Sequence, residues 1–314
     1  MRPRLTTLGQ HVETSVSLLV SMDGILLIDK PADIGSAEVV RRLKRFVKPA
    51  KIGHLGTLDP FATGLLPILI GEATKIAKFL EHHEKDYVGV IALGAQTDTL
   101  DCTGQVISTE PVPCFDQTRL DEIARQFTGE FEQVPPLYSA IKRSGVPLYK
   151  LARKGAEPEP PPPRVVHVRR LQMRIESSQR LRFSVQCGTG MYVRSLARDI
   201  GNALGTVAYL DQLRRAGTGG FSIAQAIALD QALAMFDGGR APLLIGLNQA
   251  LSDMPAIETD PDLARRVRNG DASGLLEMVK MGQGPFKVVC RDALIAITQF
   301  GPDGRLGLAR VFAG

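Results

Sequence analysis

The stretch KIGHLGTLDPFATGLLPILIG, Lys51 to Gly71, constrains the fold more than any other part of the chain. Its second half, GLLPILIG, is an apolar run bounded by glycines and predicts a buried strand. Its first half carries His54, Gly53, Gly56 and the Asp59–Pro60 step. A structural loop needs the glycines but neither the histidine nor the aspartate. A buried strand needs the Leu and Ile but not the polar lead-in. The stretch therefore reads as a polar loop pinned to a core strand, which holds a reactive side chain in place. Asp59 precedes a proline, so its backbone is pushed from the helical into the extended region. An isolated Asp-Pro step starts a turn. Flanked by glycines and backed by a strand, it is also a candidate for nucleophilic or general-base chemistry. His54 reads three ways, as a satisfied core histidine, a base, or a ring that stacks on a nucleobase.

Other segments predict a mixture of strands and helices. DGILLIDKP, Asp23 to Pro31, predicts a buried strand over Ile25 to Asp29, closed by proline. Ser36 is placed to cap a helix running to about Val47, with Val39, Val40, Leu43, Phe46 and Val47 on its apolar face. ATKIAKFLEHH predicts a short helix. DYVGVIALG and RLRFSVQCG alternate as half-buried strands, the second with Leu181, Phe183, Val185 and Cys187 on one face. MYVRSLARDIGNALG predicts a helix with an apolar stripe of Val193, Leu196, Ala197, Ile200 and Leu204. GAEPEPPPPR, Gly155 to Arg164, is extended and semi-rigid, because proline fixes φ and removes a donor. It is either a domain linker or a stiff arm within a loop. The last stretch alternates around a Pro-Asp-Gly turn and predicts a small β-rich module of roughly 60 residues. The mixture indicates an α+β class rather than a doubly wound sheet.

With 314 residues, two domains are expected. Lys and Arg exceed Asp and Glu by 38 to 33, and the excess is uneven. Residues 141–220 hold 15 basic against 5 acidic residues, a net of +10, leaving 23 against 28 elsewhere. A basic segment this long predicts a polyanion partner, and phosphate backbones are the usual one. Cys102, Cys114, Cys187 and Cys290 form no CxxC pair, which excludes a zinc ribbon or a thioredoxin-type site and fits reduced thiols. No GxGxxG follows a strand and no GxxxxGK[ST] occurs, so no nucleotide cofactor is expected. There is no HExxH or other ligand spacing, so no metal is expected. No apolar run reaches membrane-spanning length and no cleavage signature opens the chain, so a soluble intracellular protein is expected.

Further candidates lie outside the opening stretch. Tyr87 begins a strand. Tyr192 and Arg194 sit at a helix start, Arg194 outside the apolar stripe. A guanidinium beside a carboxylate would lower that carboxylate's pKa and keep it ionised when substrate excludes water. Leu213 lies beside Arg214 and Arg215. Nothing near Asp59 in sequence offers the second carboxylate that a glycoside hydrolase uses as acid.

Taken together, DGILLIDKP, KIGHLGTLDPFATGLLPILIG, EKDYVGVIALGAQTDTLD, PPLYSAIKRSGVPLYKLARKG, GTGMYVRSLARDIG and YLDQLRRAGTGGF occur in the order seen in the bacterial TruB-type tRNA pseudouridine synthases. The resemblance runs from about Asp23 to Phe221, and more loosely to the end. It implies an α+β pseudouridine synthase fold with a mixed, mainly antiparallel sheet flanked by helices, and a small β-rich, PUA-like C-terminal domain. It divides the chain into an N-terminal extension, 1–22, a catalytic domain, 23–250, and the C-terminal domain, 251–314. It places a thumb-like insertion at about 135–165, which puts the proline-rich arm inside the catalytic domain. It implies conversion of uridine to pseudouridine in the T loop of tRNA, at position 55, by base flipping and an essential aspartate, without cofactor. The implied partner is tRNA, through its T arm and acceptor stem, with no membrane, no obligate protein partner, a monomeric chain and a cytoplasmic setting. Asp59 matches the catalytic aspartate. His54 matches the histidine that enters the T loop, and Tyr87 the tyrosine that stacks on the target base. Tyr192 and Arg194 match the helix-start pair, with Arg194 as ion-pair partner of the aspartate. Leu213 matches the apolar residue lining the base pocket. The chain departs from the pattern at Leu55, where a small residue is usual, at Met191, where threonine is usual, and after Lys30–Pro31, where only Ser36 remains of a Thr-Ser pair.

Overall fold

A computed structural model describes residues 22–48, 50–138, 161–279 and 284–313, with the backbone of 142–143 and 146–147. The N-terminal extension except Met22, and the greater part of the thumb-like insertion, lie outside the described residues.

The strands are β1 Gly24–Lys30, β2 Ile52–His54, β3 Thr63–Ile70, β4 Lys85–Leu93, β5 Ala95–Thr97, β6 Val106–Thr109, β7 Gly129–Gln133, β8 Lys142–Arg143, β9 Val146–Pro147, β10 Arg164–Ser177, β11 Arg180–Cys187, β12 Ala208–Thr218, β13 Phe221–Ser222, β14 Ile227–Ala228, β15 Ala256–Glu258, β16 Phe286–Cys290, β17 Ala293–Phe300 and β18 Leu306–Val311. The α-helices are α1 Ser36–Val47, α2 Ala77–Leu80, α3 Gln117–Gln126, α4 Val193–Leu204, α5 Leu229–Asp237, α6 Leu247–Ala250 and α7 Pro261–Arg268. One sheet runs β14-β1-β3-β12-β4-β11-β10-β7, with β2 added to β3 and β13 to β12. It is mixed and mainly antiparallel; the β1–β14 and β12–β3 pairs are parallel. A second sheet, β15-β16-β17-β18, forms the C-terminal β-rich module, and the Pro-Asp-Gly turn joins β17 to β18 as expected.

Burial on both faces explains why β1 and β3 read as continuous apolar runs. One face carries Leu26, Ile28, Leu66 and Ile68 into a core with α1, α3, α4 and α5. The other face carries Ile25, Leu27, Leu65 and Leu69 against Ile76, Leu80 and the module's Leu294, Ile297 and Phe312. In β11 only one face is covered, so Leu181, Phe183, Val185 and Cys187 are buried while the intervening residues are not.

Two expectations need correction, and one strand was not foreseen. Ser36 does not cap α1; Gly35 occupies that position, and the hydroxyl instead bonds both backbone groups of Leu58. ATKIAKFLEHH is mostly a 3-10 segment, Gly71–Ile76, followed by the single turn of α2. The long strand β10 was not legible, because a register shift between Val168 and Arg170 breaks its alternation. Among the described residues no helix is long and apolar enough to cross a membrane, and all four cysteines are free.

Candidate active site

The loop between β2 and β3 is fixed from three sides, and this holds Asp59 in place. Ser36 ties Leu58 to the start of α1 through bonds of 2.9 and 3.2 Å. Lys30, fully buried at the end of β1, donates to the carbonyls of Pro31, Ile34 and Pro60 at 2.8, 2.7 and 3.2 Å. Arg215, fully buried in β12, donates from Nε to the Leu65 carbonyl at 2.7 Å and from Nη2 to the Gly56 carbonyl at 3.1 Å. That approach requires two glycines. Gly56 has φ +72°, and an added Cβ would lie 3.1 Å from Arg215 Nη1. At Gly64, φ +101°, an added Cβ would fall 2.3 Å from the Arg215 carbonyl oxygen.

Arg194, on the first turn of α4, grips Asp59 with a fork. Its Nε lies 3.0 Å from Oδ2, and its Nη2 donates to Oδ1 at 3.3 Å. The guanidinium is itself held from behind, donating to the carbonyls of Thr99 and Tyr138, each at 3.0 Å. Asp101 Oδ2 lies 3.6 Å from its Nη1. The side chain of Arg194 is 7% exposed and that of Asp59 35%, so the carboxylate faces the opening and the guanidinium backs it. Asp101, in the turn between β5 and β6, is the second carboxylate the sequence did not reveal. Its Oδ1 is taken up by Thr99 Oγ1 at 2.8 Å, Thr103 Oγ1 at 2.6 Å and the Thr103 amide at 3.0 Å.

The Asp59 carboxyl is raised above the ordinary aspartate range, and burial is the dominant cause. Arg194 and Lys30 pull it down and Asp101 pushes it up. The sequence-based expectation that Arg194 would set the net direction is thus corrected: the guanidinium opposes a larger desolvation effect. Lys30 is lowered by burial from 10.5 to about 8. Above about pH 8 the neutral amine has too few protons for its three carbonyl partners. The kcat/KM profile is therefore expected to fall through about pH 8, and the residual activity of Lys30→Met to show no such limb. Unfolding does not mimic this. Between about 8 and 10.5 the unfolded chain binds the extra proton, so this group makes folding more favourable as pH rises. A wild-type profile flat through this range would remove Lys30 from the account.

Tyr87 and Leu213 share a face of adjacent strands. Leu213 lies opposite Gly89 and Tyr87 opposite Arg215, whose charge acts on the Tyr87 phenol. Tyr87 is half-buried and Leu213 buried. Burial pushes the Tyr87 phenol up. Burial, reinforced by Arg215, lowers His54 and favours its neutral ring, whose Nδ1 is buried without a hydrogen-bond partner. Arg215 thus connects the His54 loop, Tyr87 and β3. Tyr192 is the residue before α4; its amide donates to Gln133 Oε1 at 2.9 Å rather than to Asp59. The Leu55 side chain is buried with Leu65 and Leu69 in the rear core, so this departure adds no bulk to the site. A groove of about 1290 Å³ runs past Phe61, Thr63, Val88 and Leu213, and Asp59 is not among its lining residues.

The basic segment is less free than its count suggested. Arg194 and Arg215 are buried, and Arg169, Arg180, Arg182, Arg198 and Arg214 have carboxylate partners. Among the described residues of that segment, Arg164, Arg170 and Arg174 have none. Lys30, Asp101 and Arg215 are the site residues sequence reasoning missed. Each looks ordinary locally: a lysine at a strand end, an aspartate in a turn, an arginine in a pair.

Comparison with known proteins follows the same lines. Residues 44–193 match the model of the TruB family pseudouridylate synthase N-terminal domain, and 194–241 that of the tRNA pseudouridylate synthase B C-terminal domain. The tRNA pseudouridine synthase B of Geotalea uraniireducens is 40% identical over 304 residues, 93% of this chain and 98% of its own. That of Xanthomonas campestris pv. campestris, strain B100, is 39% identical over 317 residues, 100% of this chain and 98% of its own. Among solved structures, a Cbf5-Nop10-Gar1 complex aligns with TM-score 0.67 at 23% identity, covering 92% of this chain and 84% of that one, a likeness of fold.

Proposed function

The chain belongs to the TruB family of pseudouridylate synthases, and from that premise we propose that it converts a single uridine of the tRNA T loop, position 55, to pseudouridine. The observation that carries this reading is the Asp59–Arg194 fork, a half-buried carboxylate on a buried and fully braced guanidinium. The reaction breaks the N1–C1′ bond, turns the uracil and joins C5 to C1′. N1 gains a proton and C5 loses one, so product and substrate are isomers. Whether the carboxylate attacks the nucleoside or removes a sugar proton, it must be ionised and directed at an everted nucleotide. Eversion costs a few kcal/mol. Stacking on Tyr87 returns about 1–3 kcal/mol, and His54, neutral by its surroundings, is suited to fill the vacated stack. Leu213 closes the apolar side of the base pocket. Asp101 does not serve as a glycosidase acid, because its carboxylate is committed to Thr99, Thr103 and Arg194.

In this reading residues 23–250 form the catalytic domain, the 135–165 insertion closes on the T arm, and the PUA-like module from 251 meets the acceptor stem. The chain acts alone, as a cytoplasmic monomer. Pseudouridine mapping of a tRNA transcript after incubation is expected to show one new site, in the T loop; a product elsewhere overturns the proposal. RNA affinity is expected to weaken with salt. Phosphate contacts by Arg164, Arg170 and Arg174 alone contribute a slope of about −2 to −3 in log K against log salt. A flat titration would contradict a phosphate-holding face.

A further inference from the structure

At the N-terminal end of α4, around Tyr192, three hydrogen-bond donors lie buried without an acceptor. Gln133 is 1% exposed; its Oε1 accepts from the Tyr192 amide at 2.9 Å, and its Nε2 has no partner. Arg164 lies opposite Gln133 in the β7–β10 register, and its guanidinium carbon sits 4.8 Å from the centre of the Tyr192 ring. Its Nε and Nη2 also have no partner. Unpaired buried donors are rare in folded proteins and call for an explanation. Here all of them are donors, so what is lacking is an acceptor with several oxygens. The twelve-residue α4 adds the positive end of its dipole and its free first-turn amides. A guanidinium fork, a carboxamide and a helix N-terminus together fit a phosphate group. Gly190, with φ +88°, lies beside Arg164; a Cβ added there would sit 3.8 Å from Nη1, in ordinary contact. Arg194 follows Tyr192 by two residues, which puts this cluster beside the Asp59 fork.

We propose that Gln133, Arg164 and the N-terminus of α4 seat one backbone phosphate of the RNA, adjacent to the nucleotide presented to Asp59. The inference rests on the RNA-modifying reading above. Arg164 is half-buried, and its guanidinium rests on the Tyr192 ring at the start of α4. Arg170 and Arg174, exposed on the same strand, lack such a cluster and contribute unfocused attraction.

The test uses the full chain and a T-arm stem-loop RNA carrying single methylphosphonate linkages, placed in turn through the loop. Wild-type affinity is expected to fall about tenfold at one linkage next to the target and little elsewhere. Arg164→Gln should bind the unmodified RNA about tenfold more weakly, lose the response at that linkage, and lower the salt slope by about 0.7–0.9. A wild-type profile flat at every linkage near the target overturns the seat without any variant having to fold. So does an Arg164→Gln profile that keeps the full response. Turnover by the wild-type chain separates the two levels: if only the seat is wrong, the wild type still forms pseudouridine on unmodified RNA, whereas if the functional reading is wrong it forms none.

Discussion

Asp59→Asn is expected to reduce pseudouridine formation by at least about 10²–10⁴-fold, the range for a side chain acting on reacting atoms, with RNA affinity nearly unchanged. Asparagine keeps the shape and can still accept from Arg194 through its oxygen, but it carries no charge. The variant should not be less stable at neutral pH. Because burial raises the Asp59 carboxyl, its ionised form is disfavoured in the folded chain. Stability associated with this group is present at low pH and is lost as pH rises through its folded-state pKa. A neutral isostere avoids that loss. Single-turnover product formation and filter binding, with thermal unfolding as control, check all three statements. A variant with wild-type turnover would take Asp59 out of the chemistry.

Arg194→Met is expected to have the next largest effect. It leaves Asp59 with burial and the nearby Asp101, both of which push its carboxyl up. Losing a charge partner at this range moves a carboxylate by about 1–3 units. The acid limb of kcat/KM should therefore shift to higher pH by about that much, and neutral-pH turnover should fall about 10–10³-fold. The cost in stability is about 3 kcal/mol, the low end for breaking a buried pair, because Asp59 is partly solvated. Arg194→Lys should recover part of the limb position but not the fork, since an ammonium cannot meet both oxygens and the Thr99 and Tyr138 carbonyls in one plane. An unmoved acid limb in Arg194→Met would separate the guanidinium from the ionisation of Asp59.

The sequence showed what is local. The apolar runs of β1 and β3, the one-faced alternation of β11 and the stripe of α4 all stand where their periodicity put them. The pairing of Asp59 with Arg194 spans 135 positions and came from resemblance, not from spacing. What was illegible depends on distant partners. Lys30 becomes a buried ammonium only because Pro60 returns beside it, and Asp101 a buried carboxylate only because its turn folds against Arg194. The direction of the Asp59 shift depends on how much water the fold removes, which no motif records. The positive charge of residues 141–220 was real in count, but carboxylates at 29, 84 and 211, far away in sequence, neutralise part of it.

The most direct test is tritium release from a tRNA transcript labelled at C5 of its uridines. The C5 hydrogen leaves only when carbon replaces nitrogen at C1′, so the label in water counts completed isomerisations. The account predicts release of one uridine's worth of label per tRNA, and none when the T-loop uridine is replaced by cytidine. No release from the intact transcript, or equal release from both, would contradict it.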